Sequence, residues 1–219
     1  ELDAGYVMGA GGDMSRSALY VRGKGYWAMT DVSGLVMRFG NNLMLGVDMT
    51  RAIGGTGVWM EAAYVDADHF LPVETDGDYF RVSLGADRQL TPRLYGYAEY
   101  HFNGAGNAGS TGYPVLSPAA LSGGVYLTGR HYGSIGFGYQ LTPLTMLNGM
   151  VMQNLSDHSA FVSLSAEWNL RENLYLSGGV YIAAGNSPFD GSAGDPFPTK
   201  PDEFGAYPDL LYVSLRWYF

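Results

Sequence analysis

Apolar and polar residues alternate with a period of two along most of the chain, most cleanly near residue 219. In Asp209 to Phe219, Leu211, Val213, Leu215, Trp217 and Phe219 fall on one side of an extended strand, opposite Tyr212, Ser214, Arg216 and Tyr218. Read backward, the same parity marks Ala160 to Trp168, with Val162, Leu164 and Ala166 opposite Phe161, Ser163, Ser165 and Glu167. It also marks Leu174 to Ile182, with Leu176 and Val180 opposite Tyr175, Ser177 and Tyr181. His131 to Leu141 sets Ile135, Phe137 and Tyr139 against small residues and Gln140. In Leu144 to Leu155 the Asn-bearing side, Met146, Asn148, Met150, Met152 and Asn154, is assigned to the polar face. Tyr79 to Asp87 and Arg93 to Phe102 repeat the pattern, with Arg81, Asp87, Glu99 and His101 on the polar side, as does Val58 to Tyr64 with Glu61 there.

Toward residue 1 the pattern gives strands over Asp3 to Ala10 and Ala18 to Met29, the latter carrying Arg22 and Lys24 on its polar side. Between Gly34 and Arg51, a three-residue turn at Gly40-Asn41-Asn42 keeps Phe39 opposite Leu43. It places Leu35, Met37 and Phe39 on the apolar face, and Arg38 and Asp48 on the polar one. The count is twelve strands. The long or acidic connections 66–78, 104–130 and 185–208 alternate with tight turns near 54–57, 90–92, 142–143 and 170–172. Such sorting of loops to one rim, with an even strand number that lets first and last strands pair, predicts an all-β, antiparallel up-and-down transmembrane β-barrel.

Composition sharpens this. Gly (32) and Tyr (17) are abundant, Lys plus Arg reach only 12, and no stretch approaches the eighteen uninterrupted apolar residues of a helical span. The net charge of -9 without a basic stripe argues against a nucleic-acid partner, and the absence of Cys removes disulfides and thiolate metal sites. Glu1 follows no basic, apolar leader, so the chain reads as a mature or trimmed single barrel domain over 1–219, or as the later part of a longer precursor.

The predicted lumen set balances: Arg22, Lys24, Arg38, Arg81 and Arg216 against Asp48, Glu61, Asp87, Glu99 and Glu167, with His101 beside them. Balanced charges line a pore or satisfy one another in a filled interior, so a channel for small polar solutes and a non-conducting structural or partner-binding barrel both stand. An enzyme is not expected. The turn Ser156-Asp157-His158-Ser159 has catalytic residue types but the composition of any polar turn, and Arg130-His131 suits a lipopolysaccharide phosphate or plain solvation. No cofactor is expected. Hard-cation contacts are chemically reasonable at Asp66, Asp68, Asp76 and Asp78, although no regular Asp-x-Asp-x-Asp loop is present.

The aromatic ending Trp217-Tyr218-Phe219 resembles the assembly signal of bacterial outer-membrane β-barrel proteins. The segments Gly57 to Tyr64, Glu99 to Gly106, Gly129 to Pro143 and Phe204 through Phe219 are similar to those of outer-membrane porin-like proteins. The resemblance implies a bacterial outer-membrane barrel, folded by the outer-membrane assembly machinery through Trp217, Tyr218 and Phe219. Its expected partners are outer-membrane lipid, lipopolysaccharide and an envelope protein.

Overall fold

The structure, a computed structural model, describes residues 1–67, 77–109, 127–186, 202–205 and 207–219. Twelve strands follow one another: β1 (Leu2–Val7), β2 (Ala18–Trp27), β3 (Thr30–Phe39), β4 (Asn42–Ile53), β5 (Thr56–Asp66), β6 (Tyr79–Thr91), β7 (Leu94–Asn103), β8 (His131–Thr142), β9 (Thr145–Asn154), β10 (Ala160–Arg171), β11 (Leu174–Ala184) and β12 (Leu210–Trp217). They lie in one sheet in chain order, with β1 and β12 at the two ends of that order. Two-residue turns at 28–29, 54–55, 92–93, 143–144 and 172–173 make this order local. Gly54 and Gly55 both have positive φ (57° and 79°), the conformation a tight hairpin turn with right-handed twist requires. Ala28 and Met29 adopt it too, at 49° and 61°, despite their β-carbons.

The strand count agrees with the sequence pattern, but β3 differs in extent and facing. It begins at Thr30, directly after the Ala28-Met29 turn, and runs for 10 residues. The turn into β4 is the two-residue Gly40-Asn41, so that Phe39 pairs with Asn42 and Arg38 with Leu43. Leu35, Met37 and Phe39 therefore share a face with Met44 and Asp48, while Val36 and Arg38 share one with Leu43 and Leu45. Two local causes fix this register. Gly40, at φ 58°, closes the shorter turn, and Ser33 stands opposite Asp48, where its hydroxyl donates to that carboxylate. A polar pair thus overrides the apolar count of the strand.

The contacts divide the chain into two compact units. The first holds residues 1–85, 101–108 and the segment ending at His131. Its apolar face presents Leu19, Val21, Val36, Leu45, Met49 and Ile53 to the surroundings. Charges on that face, Arg38, Arg51 and Asp66, all lie within three residues of a strand end, where long side chains reach water. On the connection from β1 to β2, Asp13 accepts a hydrogen bond from the Ser15 amide at 2.9 Å, which holds its carboxyl below the usual carboxylate range.

The second unit holds the described residues of 86–100, 109–115 and 132–219. Its register aligns apolar rows across four strands, such as Gly149, Leu164, Val180 and Leu211 from β9 to β12. Ile135, Leu164, Ile182, Leu211, Val213 and Leu215 are all exposed. Phe137 lies over its cross-strand partner Gly149, whose missing β-carbon leaves room for the ring. β12 ends at Trp217, yet the pairing continues: the Tyr218 amide donates to the Asn173 carbonyl at 3.0 Å, and the Asn173 side chain donates to the Tyr218 carbonyl at 2.7 Å.

Among the described residues the buried hydrophobic set is only Met44, Val65, Tyr132 and Phe204, whereas dozens of large apolar side chains are exposed. A soluble protein does not display contiguous apolar faces of this extent. Topology and facing are those of the up-and-down transmembrane β-barrel class. The observed register of β3 predicts that Val36→Lys, on the apolar face, costs about 2–4 kcal/mol of folding free energy in a bilayer. Leu35→Lys, on the polar face, is expected to cost clearly less in urea titrations of vesicle-embedded protein. The three-residue turn would give the reverse order.

Candidate functional site

The polar face carries most strand charges, and in each unit several of them pair or stand opposite one another. In the first unit β2, β3, β4 and β5 bring Arg22, Ser33, Asp48 and Glu61 together: Ser33 stands opposite Lys24 and Asp48, and Asp48 opposite Glu61. Arg22 donates from Nε to Ser33 Oγ at 3.1 Å and from a terminal nitrogen to Asp48 Oδ2 at 3.4 Å. Lys24 shares this face by register. Arg38 does not; it lies on the opposite face and donates from Nε to the Gly40 carbonyl at 3.3 Å. Its assignment to the lumen set is corrected for the same reason as β3: the shorter turn reverses the strand.

From β6, Arg81 reaches the Met44 Sδ at 3.8 Å and lies 5.7 Å from the centre of the Tyr79 ring. Ser83 Oγ and His101 Nδ1 are hydrogen-bonded at 2.8 Å between β6 and β7. These groups line a cavity of about 690 Å³ with Asp3, Asp48 and Glu61. Asp3 accepts a hydrogen bond from the Tyr20 hydroxyl at 3.0 Å.

In the second unit, Asp87 accepts from the Tyr95 hydroxyl at 2.6 Å, and Glu99 follows on the same side of β7 by alternation. Arg216 on β12 is paired with Glu167 on β10, and its guanidinium lies 5.9 Å from the Tyr175 ring centre. Farther along this face Phe161, Tyr181 and Tyr212 form a stacked ladder across β10, β11 and β12, with 5.8 Å between successive ring centres.

A cluster that the alternation does not reveal stands at the start of β8 and the end of β9. Glu203, only 2% exposed, accepts hydrogen bonds from the Tyr132 hydroxyl at 2.5 Å and the Asn154 amide at 2.9 Å. Asp157 accepts the Glu203 amide at 2.8 Å and Ser159 Oγ accepts the Phe204 amide at 3.2 Å. The Phe204 ring meets Tyr132 and Phe161. Residues 202–205 are thereby latched onto the polar face of β8 to β10. The Ser156-Asp157-His158-Ser159 turn, with its catalytic residue types, uses its carboxylate and hydroxyl to hold backbone N–H groups instead. The available signal was Phe204 within a Pro-rich acidic connection, an apolar ring with no reason to stay in water.

Rim residues are likewise engaged locally. Arg130 donates to the Gly106 carbonyl at 3.1 Å, and His131 packs 5.4 Å from the Phe102 ring. Of the hard-cation candidates, Asp78 accepts the Tyr64 hydroxyl at 2.7 Å and the Ala67 amide at 3.1 Å. Asp66 ends β5 on the apolar face, opposite Leu43. Asp68 and Asp76 lie outside the described residues. Among the described residues no group of three or more His, Asp or Glu stands close enough to hold a metal ion. Trp217 and Phe219 pack edge to face at 6.3 Å on the apolar side, and Tyr218 meets Tyr175 at 5.8 Å on the polar side.

No protein-family model and no curated protein matches this chain. Among solved structures it is similar to a KdgM porin in complex with disordered oligogalacturonate, at 6% identity and TM-score 0.38, covering 83% of this chain and 88% of that one. It is also similar to the NanC porin in a rhombohedral crystal form, at 8% identity and TM-score 0.40, covering 100% and 98%. A third similar structure, described as "Asymmetric conductivity of engineered proteins", shows 10% identity, TM-score 0.38 and complete coverage of both chains.

The latch yields a direct expectation. Glu203→Ala removes a buried acceptor from the Tyr132 hydroxyl and from the Asn154 amide, at a cost of about 1–3 kcal/mol. Limited chymotrypsin digestion of the folded protein is expected to cut after Phe204 markedly faster in this variant, and Glu203→Gln is expected to fall between the two.

Proposed function

We propose that this protein is a channel of the bacterial outer membrane for passive diffusion of small polar solutes. The observation that carries the reading is the separation of the two sheet faces. Arg22, Asp48, Glu61 and Arg81 share one face in the first unit, as do Glu167 and Arg216 in the second, and in each unit the opposite face exposes apolar rows. The apolar face suits lipid, and the charged face suits water and dissolved solutes. The charge pairs bring opposite signs close together, which argues for weak ion selectivity rather than a single-sign filter. In this reading Trp217, Tyr218 and Phe219 address the chain to the assembly machinery, and the apolar face meets outer-membrane lipid and lipopolysaccharide.

A second reading, a non-conducting structural or partner-binding barrel, is favoured by the latched residues 202–205, which occupy part of the polar face. Planar-bilayer recording from the purified protein separates the two. Discrete openings with cation-to-anion permeability near unity are expected of the channel. A silent bilayer, from protein that keeps its folded gel mobility and co-purifies with another envelope component, supports the second reading.

A further inference from the structure

The polar cavity of the first unit holds two charges without an opposite charge to pair with among the described residues. Arg22 and Asp48 neutralise each other, and Asp3 is engaged by Tyr20. Glu61 stands directly opposite Asp48, an unfavourable like-charge neighbour, and is exposed without a cationic or hydrogen-bonding partner among the described residues. Asp48 has both Arg22 and Ser33; Glu61 has neither. Among the described residues the guanidinium of Arg81 meets a thioether and an aromatic ring, both of which leave it positive and short of an oxyanion. Its planar fork matches a carboxylate.

The spacing selects the ligand. Arg81 ends beside Met44, whereas Glu61 stands opposite Asp48, four residues farther along β4. At about 3.3 Å per strand residue the two charges are about 13 Å apart along the strand, which leaves room for an ion contact at each end of the ligand. An extended tripeptide spans about 10 Å between its ends, while a free amino acid is too short to touch both. The cavity of about 690 Å³ has room for it, and its walls mix Leu35 and Met37 with Ser83 and His101. We propose that this cavity binds short zwitterionic peptides, the C-terminal carboxylate on Arg81 and the N-terminal ammonium on Glu61. This deepens the channel reading by naming a solute class, and rests on that reading only for transport, not for binding.

Isothermal titration calorimetry on the full chain in detergent tests it, using triglycine, N-acetyl-triglycine, triglycine amide and glycine. Triglycine is expected to bind about fivefold tighter than either end-blocked form, the scale of one solvent-accessible ion pair, and glycine least. Glu61→Gln is expected to weaken triglycine about fivefold without changing N-acetyl-triglycine, and Arg81→Gln to weaken triglycine without changing triglycine amide. Equal affinity of wild-type protein for the free and blocked peptides overturns the proposal, as do variants that weaken every peptide alike. The wild-type series decides the matter even if a variant fails to fold. Binding in detergent needs no open pore, so peptide binding with a silent bilayer would refute the channel alone, whereas conductance without end-group discrimination would refute the peptide site alone.

Discussion

The strand backbone has to satisfy every N–H and C=O within the sheet while its two faces meet opposite surroundings. In hydrocarbon an unpaired backbone group costs several kcal/mol, so the meander, with each strand bonded to its sequence neighbour, is what makes the exposed apolar rows tolerable. Everything else follows from the period of two that this imposes. Charges on the apolar face are confined to strand ends, and Gly149 is bare because the Phe137 ring lies over it. Opposite charges on the polar face sit close enough to pair: Arg22 with Asp48, and Arg216 with Glu167.

This constraint also explains what was legible in the sequence. Where one face must be free of charge over ten residues, parity alone assigns both faces, as in β5, β10, β11 and β12. It places Glu61, Glu167 and Arg216 on the charged face, as the register does. β3 was misread because its polar face carries Leu35, Met37 and Phe39, which are as apolar as the residues facing the other way. On that strand the hydrophobic count is nearly even, and the deciding terms are a left-handed Gly40 and one serine hydroxyl beside Asp48. Neither registers in a hydropathy pattern, and Arg38 followed the error.

The candidate site was legible in its residue types but not in its pairings. Alternation tells that Arg81 and Glu61 share a face; it does not tell that Arg22 and Ser33 both turn to Asp48 and leave Glu61 alone. The Glu203 cluster was hidden for a different reason. Its members come from strand ends and from a connection, where periodicity stops, and they are joined by carboxylate contacts with no sequence spacing of their own.

That cluster also carries a sense of time. The strand ladders of the second unit join strands that are adjacent along the chain, but Tyr132 and Glu203 are 71 residues apart. The entropy of closing so long a loop is offset only if Tyr132, Asn154 and Ser159 already stand in register. The burial of Glu203 therefore depends on the pairing of β8, β9 and β10 beneath it, so a register slip in any of these strands also removes its partners.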